Sequence, residues 1–272
     1  MTEQYLYQEL DVLKKVGLLE GVPQYIKANL NKNIVLRDYQ KEAFRYFISY
    51  CESEDLRKNK QIHNLFHMAT GSGKTVIMAG LILYFYMQGY RKFLFFVNQR
   101  NIIEKTKENF LNPSSNKYLF AENIELIGEY VPVKEVDNFA FYDKEAINIC
   151  FTSTQKLHMG LTFQEENSPT IEDFEEDKVV LISDESHHIN TVTKGLTKTE
   201  KDEIKINQNS WEHTIEKIFR ANRDNVLLEF TATADLKDPN VQNKYLDKIV
   251  YDYTLAKFRQ SGYTKDFKNM QG

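Results

Sequence analysis

The sequence predicts an α/β domain in which a mostly parallel sheet is covered by helices on both faces. Short apolar runs at 92–97, 178–182 and 225–230 have the composition of strands that are buried on both sides. Segments with apolar residues at helical spacing lie between such runs. Strands that alternate with helices in this way are typical of parallel sheets.

The individual elements follow this alternation along the chain. Residues 1–33 are predicted to form a helical lead-in, and Asp38 is predicted to cap the next helix. The region 114–144 mixes turn residues with short apolar pieces and receives no assignment. The remaining predicted elements are, in order, a strand at 62–68, a helix at 76–86, a strand at 92–97, a helix from 101 to about 113, strands at 146–152 and 178–182, a helix at 211–221, a strand at 225–230 and an extended segment at 248–253.

The domain limits are predicted from changes in composition. After the lead-in, residues 34–250 are assigned to one domain, and 251–272 to the start of a linker. Residues 190–209 are polar and nearly free of apolar side chains, so a mobile insertion is expected there.

Composition excludes several classes of protein. The 272 residues are 42% hydrophobic, which is enough for a core, and no apolar run approaches the ~18 residues of a membrane span. The N-terminus lacks the features of a signal peptide, so a cytoplasmic protein is predicted. Two cysteines form neither a disulfide framework nor a zinc pattern. The net charge of −4 gives no overall argument for nucleic acid, so any such contact must be local.

Residues 69–75, called the phosphate loop below, lie between a predicted strand and a predicted helix. Glycine can adopt backbone angles that bring the main chain close to a ligand, and a helix N-terminus offers free N–H groups to phosphate oxygens. Lys74 is predicted to reach the β- and γ-phosphates and the Thr75 hydroxyl to ligate Mg²⁺. Met68 stands where the general pattern has a glycine, and the alternative interpretation is a glycine turn that only caps a helix. The predicted nucleotide-binding residues of this segment are Thr70, Gly71, Ser72, Gly73, Lys74 and Thr75.

An acidic pair follows the predicted strand at 178–182 and supplies the second half of a nucleotide site. Asp184 is predicted to hold Mg²⁺, and Glu185 to orient and deprotonate the attacking water. The alternative is an ordinary helix N-terminus with favourable carboxylates. His187 is predicted to contact the next strand end, at Thr231 and Thr233, and so to respond to the γ-phosphate; the alternative is a surface histidine.

Taken together, the motifs at 36–40, 69–75, 184–187 and 231–233 occur in the order and spacing of superfamily 2 helicases and translocases. Within that superfamily the chain most resembles the Res subunit of type III restriction endonucleases, through details at 22–26, 68–75 and 184–188. The resemblance extends from about 22 to 262 and implies a RecA-like P-loop NTPase domain.

The resemblance also implies roles for further residues. Gln40 matches the glutamine that reads the adenine edge, and Arg37 of the same motif is also expected to bind the nucleotide; the alternative for Gln40 is a solvent-facing helix residue. Thr231 and Thr233 match the motif that links hydrolysis to domain movement. Residues that match loops contacting the nucleic-acid backbone, with helix caps and loop polar residues as the alternative, are Asn98, Gln99, Arg100, Thr152, Ser153 and Gln155.

Such motors hydrolyse ATP between two RecA-like domains, and type III proteins add a nuclease. The expected cofactors are therefore ATP and Mg²⁺, and the expected partners are DNA, a modification (methyltransferase) subunit, and a second RecA-like domain and nuclease domain of the same protein. The chain is expected to be a first motor domain with weak hydrolysis alone, because arginine fingers contribute about 10³–10⁵ in rate. One rival is a motor fragment of a type I restriction enzyme or of a DNA-repair or RNA helicase. A rival of another class is a nucleotide-responsive scaffold, in which Glu185→Gln would change nothing.

Overall fold

The computed structural model describes residues 4–97, 100–163, 168–184 and 211–263, without the side chains of 100–102. The predictions for Asn98, Gln99, Glu185, His187 and the insertion at 190–209 lie outside these residues. In the described part of the chain, no helix is long and apolar enough to cross a membrane.

The six predicted strands are present in the structure, and three short strands also form in the region 114–144, which received no assignment. In chain order they are β1 His63–Met68, β2 Lys92–Val97, β3 Glu125–Leu126, β4 Glu129–Tyr130, β5 Val133–Glu135, β6 Ile147–Ser153, β7 Val179–Asp184, β8 Val226–Thr231 and β9 Ile249–Tyr253.

In the described residues, four helices precede β1 and the others lie between successive strands or after β9. The helices are α1 Leu6–Lys15, α2 Gln24–Asn29, α3 Asp38–Glu52, α4 Glu54–Arg57, α5 Lys74–Met87, α6 Arg100–Leu111, α7 Thr154–Phe163, α8 Glu172–Glu175, α9 over 211–221, α10 Pro239–Tyr245 and α11 Leu255–Gln260.

One seven-stranded sheet, in the order β5-β6-β2-β7-β8-β1-β9, organises the molecule. Every pairing between its neighbouring strands is parallel. The predicted α/β class with a mostly parallel sheet is therefore confirmed. Strand β8 lies between β1, which leads into the phosphate loop, and β7, which leads into the acidic pair.

The sheet buries apolar side chains on both faces. In β2, Phe93 and Phe95 belong to the larger core, whereas Leu94 and Phe96 belong to a second cluster. Helices α1, α2, α3, α5, α6 and α11 contribute to the larger core, and α7, α8 and α9 to the second cluster. Because successive side chains of a strand point to opposite faces, helices cover both faces, as predicted.

The two ends of the described chain pack with the central domain. In the lead-in, Leu6, Leu10 and Ile26 are buried in the larger core, so these helices are joined to the domain. At the other end, β9 forms an edge strand beside β1, and the sheet therefore continues past residue 250, the predicted end of the domain. The domain limits stay predictions.

The unassigned region 114–144 contains a small hairpin and an edge strand. Strands β3 and β4 pair antiparallel around Ile127 and Gly128, which have positive φ values of 57° and 81°. Strand β5 then adds to the main sheet beside β6.

Candidate nucleotide-binding site

The phosphate loop connects the carboxyl end of β1 to the first turn of α5. Gly71 and Gly73 have φ values of 78° and 81°, in the left-handed region that favours glycine. A Cβ atom on Gly73 would lie 2.5 Å from Gln40 Nε2. The backbone angle therefore favours glycine at this position, and a side chain here would also displace the Gln40 amide that packs against the loop.

The N-terminus of α3 packs directly against this loop. The Tyr39 hydroxyl donates a hydrogen bond to the carbonyl of Ser72 at 2.8 Å, and Gln40 Nε2 donates to the same oxygen at 3.2 Å. Gln40 Oε1 accepts from the Arg37 backbone N–H at 2.9 Å. Both ends of the buried Gln40 amide thus have protein partners, and contact with adenine would require an exchange of these bonds.

The prediction that Asp38 caps α3 is wrong. Arg37, not Asp38, occupies the N-cap position of α3, because the Gln40 amide satisfies the Arg37 N–H at the start of the helix. Asp38 lies in the first turn, where a carboxylate still interacts favourably with the helix dipole. The Arg37 guanidinium donates to the Tyr39 hydroxyl at 2.9 Å.

The polar groups of the loop fit a phosphate chain. Lys74 Nζ lies 3.5 Å from the Met68 carbonyl oxygen, and Thr75 lies in the first turn of α5. Within the described part of the chain, the buried Ser72 Oγ has no hydrogen-bond partner. An unpartnered buried hydroxyl, two glycines with positive φ and a helix N-terminus are together suited to anionic oxygens.

The acidic strand end lies at the same edge of the sheet. Asp184 is the last residue of β7 and pairs in register with Phe230 of β8, which pairs with Phe66 of β1. Carboxylate and hydroxyl oxygens are ligands that suit Mg²⁺. The roles of Asp184 and Thr75 as Mg²⁺ ligands stay predictions, and Glu185 and His187 lie outside the described residues.

The predicted coupling residues Thr231 and Thr233 lie at the end of β8 and just after it, next to the loop-bearing strand. Thr231 ends β8, is buried, and pairs in register with His67 of β1. Its Oγ1 accepts a hydrogen bond from the Thr233 N–H at 3.2 Å. Their coupling role stays a prediction.

The residues predicted to contact nucleic acid differ in their surroundings. Thr152 and Ser153 are buried at the end of β6, and Ser153 Oγ accepts from the Lys156 N–H at 3.1 Å, so Ser153 caps α7. Gln155 is exposed in the first turn of α7. Asn98, Gln99 and the Arg100 side chain lie outside the described residues.

The chain matches a known protein family over most of its length. The family model described as "Type III restriction enzyme, res subunit" matches residues 33–236. The chain belongs to this family. A relative from Haemophilus influenzae, described as "Probable type III restriction-modification enzyme HindVIP Res subunit", is 39% identical over 265 residues. This alignment covers 90% of the chain and 51% of the relative, so the chain spans about half the length of the relative.

A solved structure, the UvsW helicase from bacteriophage T4, is 14% identical and has a TM-score of 0.42. The match covers 91% of this chain and 76% of the helicase.

Sequence reasoning missed one polar cluster of this Res-family chain. His67 Nδ1 lies 2.6 Å from Asp252 Oδ1, and Lys257 Nζ lies 2.9 Å from Asp252 Oδ2. Burial raises the pKa of Asp252, but the hydrogen bonds and charges of His67 and Lys257 outweigh it and hold the pKa below its usual range. Two features of the sequence could have indicated this cluster. One is the single acid between the aromatic residues Tyr251 and Tyr253, and the other is a histidine in an apolar strand.

Proposed function

We propose that this chain is the ATP-binding and ATP-hydrolysing motor domain of a DNA translocase or helicase in a type III restriction-modification enzyme. The observation that carries the proposal is the phosphate loop and the acidic end of β7 at one edge of a parallel sheet, in a chain of the Res family. Ligands of such sheets bind beyond the carboxyl ends of the strands.

The residues of the chain have separate roles in this proposal. The phosphate-loop amides and the N-terminus of α5 bind phosphate oxygens, and Lys74 exchanges its contact with the Met68 carbonyl for these oxygens. Thr75 and Asp184 hold Mg²⁺, and Glu185 orients the attacking water and accepts its proton. Bound ATP supplies the phosphoanhydride bond whose hydrolysis drives a motor.

The proposed partners follow from family membership. The Haemophilus relative is described as part of a restriction-modification enzyme. We therefore propose DNA as the track of the motor, a modification subunit as its partner, and the cytoplasm as its location. Because the chain spans about half of that relative, a second RecA-like domain and a nuclease are proposed for the same protein.

The substitution Lys74→Ala tests the nucleotide site. Removal of the ammonium group should abolish ATP–Mg²⁺ binding, measured by calorimetry on the 272-residue chain. Lys60→Ala is the matched control, because it removes the same charge just before the other end of β1, where Lys60 forms an exposed ion pair with Asp247. Unchanged ATP affinity in Lys74→Ala would overturn the assignment, provided that Lys60→Ala also binds normally.

A further inference from the structure

The first residue of the phosphate loop forms a hydrogen bond with the edge strand β9. The Ala69 N–H donates to the Tyr253 carbonyl at 2.9 Å, directly after the pairing of β1 with β9 ends. As an edge strand, β9 pairs only with β1 within the described sheet. The position of the loop therefore depends on how firmly β9 is held.

A buried polar pair holds the two strands together at this point. His67 and Asp252 are partners in the parallel register, and their side chains are 8% and 7% exposed. Their contact of 2.6 Å joins β1 to β9 within two residues of the phosphate loop. Hydrogen bonds to a charged carboxylate are shorter and stronger than neutral ones, so this contact gives β9 a specific position.

Helix α11 contributes the third member of the cluster. Lys257 Nζ donates to both the Asp252 carbonyl, at 2.7 Å, and Asp252 Oδ2, at 2.9 Å. The Lys257 side chain is about half exposed, and α11 begins two residues after β9 ends. A chain of contacts thus runs from α11 through Asp252 and His67 to the base of the phosphate loop.

The same histidine also faces the predicted coupling strand. His67 is in register with Thr231 on one side and with Asp252 on the other. Residues in register on neighbouring parallel strands project from the same face of a sheet. Thr231, His67 and Asp252 therefore form a row across three strands, near the strand ends that carry the phosphate loop.

We propose that His67, Asp252 and Lys257 are positioning residues that couple the conformation of the phosphate loop to the placement of helix α11. Movement of α11 would be transmitted through Asp252 to β1 and would change the affinity of the loop for ATP. The affinity part of this inference rests on the proposed function, whereas the coupling of α11 to the loop does not. A purely structural pair would stabilise the sheet without affecting the loop.

The substitution Lys257→Met tests the coupling from outside the sheet. It removes the ammonium group of a half-exposed side chain, so the fold should survive. Amide hydrogen exchange of residues 69–75 in the nucleotide-free chain should become faster by about five-fold or more, and ATP–Mg²⁺ affinity should fall by a similar factor. Lys257→Arg retains a cation and should restore both values. His67→Gln should reproduce the effects of Lys257→Met.

The matched control is His63→Gln, on the same strand. His63 Nε2 also lies 2.6 Å from a carboxylate oxygen, that of Glu229, but at the opposite end of β1. This variant should accelerate exchange near its own site and leave the exchange of residues 69–75 and the ATP affinity unchanged to within about two-fold.

Two results would overturn the coupling of α11 to the loop. One is loop exchange in Lys257→Met at its wild-type rate, and the other is equal acceleration of loop exchange by His63→Gln. Failure of the wild-type chain to bind ATP would instead overturn the proposed function, because the exchange measurement needs no nucleotide.

Discussion

Strand β1 carries a histidine–carboxylate pair at each end, and the two pairs have the same contact distance. His63 Nε2 lies 2.6 Å from Glu229 Oε2, and His67 Nδ1 lies 2.6 Å from Asp252 Oδ1. In both, burial raises the pKa of the carboxyl group, but the histidine and a nearby lysine outweigh it and lower the pKa. The chemistry of the two pairs is therefore closely matched.

The two pairs differ in what surrounds them. Glu229 also accepts a hydrogen bond from the Tyr245 hydroxyl at 3.2 Å, and its pair faces a cavity of about 480 Å³ beside α9 and α10. Asp252 is instead held by Lys257 of α11, beside the phosphate loop. The His63–Glu229 pair thus joins strands of the sheet to the helices that pack on it. The His67–Asp252 pair joins the phosphate loop to the last described helix. The same interaction can serve stability in one place and positioning in the other.

The largest expected effect comes from removing each carboxylate. Glu229→Ala and Asp252→Ala should each lower the free energy of unfolding by about 3 kcal/mol, because a buried histidine loses its partner. Urea unfolding measures this loss. Only Asp252→Ala should also weaken ATP binding, measured by calorimetry under conditions in which both variants are folded. Equal loss of affinity in the two variants would remove the distinction between the pairs.

Lowering the pH should weaken both histidine–carboxylate pairs. Because the pKa of each carboxyl group is lowered on folding, its contribution to stability is complete above the unfolded pKa, about 3.9 for Asp and 4.3 for Glu. That contribution is lost as the pH falls through the lower folded pKa. The unfolding free energy should therefore decline below about pH 4, and Asp252→Asn or Glu229→Gln should each make the decline shallower. Urea titrations at several acidic pH values measure this, and a decline as steep in both variants as in the wild type would contradict the assignment.

The sequence is sufficient to predict the central strands because their apolar runs are continuous and buried on both faces. Strand β5 is not predictable in this way, since only three residues form it and Lys134 and Glu135 are exposed. Strand β9 contains Asp252 within an aromatic run, and its place in the sheet depends on a partner far away in the sequence. His67 and Asp252 are 185 residues apart, so local patterns carry no information about their contact.

The candidate site shows the same division between local and distant information. The glycines, Lys74 and Thr75 are predictable because the chemistry of a phosphate loop imposes a short spacing. The hydrogen bonds from Tyr39 and Gln40 to the Ser72 carbonyl are not predictable, because they require α3 to pack against the loop. The motif assigns Gln40 to a ligand, and the structure adds a protein partner for each end of its amide.

The smallest expected effect comes from removing one hydroxyl group at either end of β1. It tests whether ATP affinity depends on a single hydrogen bond at the loop end of this strand. Tyr39→Phe removes the hydrogen bond to the Ser72 carbonyl and retains the ring, which stacks on Tyr253 with 4.3 Å between centroids. Tyr245→Phe is its counterpart, because it removes the hydroxyl that bonds Glu229 at the other end of β1. Each variant should lose about 1 kcal/mol of unfolding free energy in urea titrations. ATP affinity should fall in Tyr39→Phe by up to about five-fold and stay unchanged in Tyr245→Phe. If the two variants lower ATP affinity equally, the affinity depends on the whole of β1 and not on its loop end.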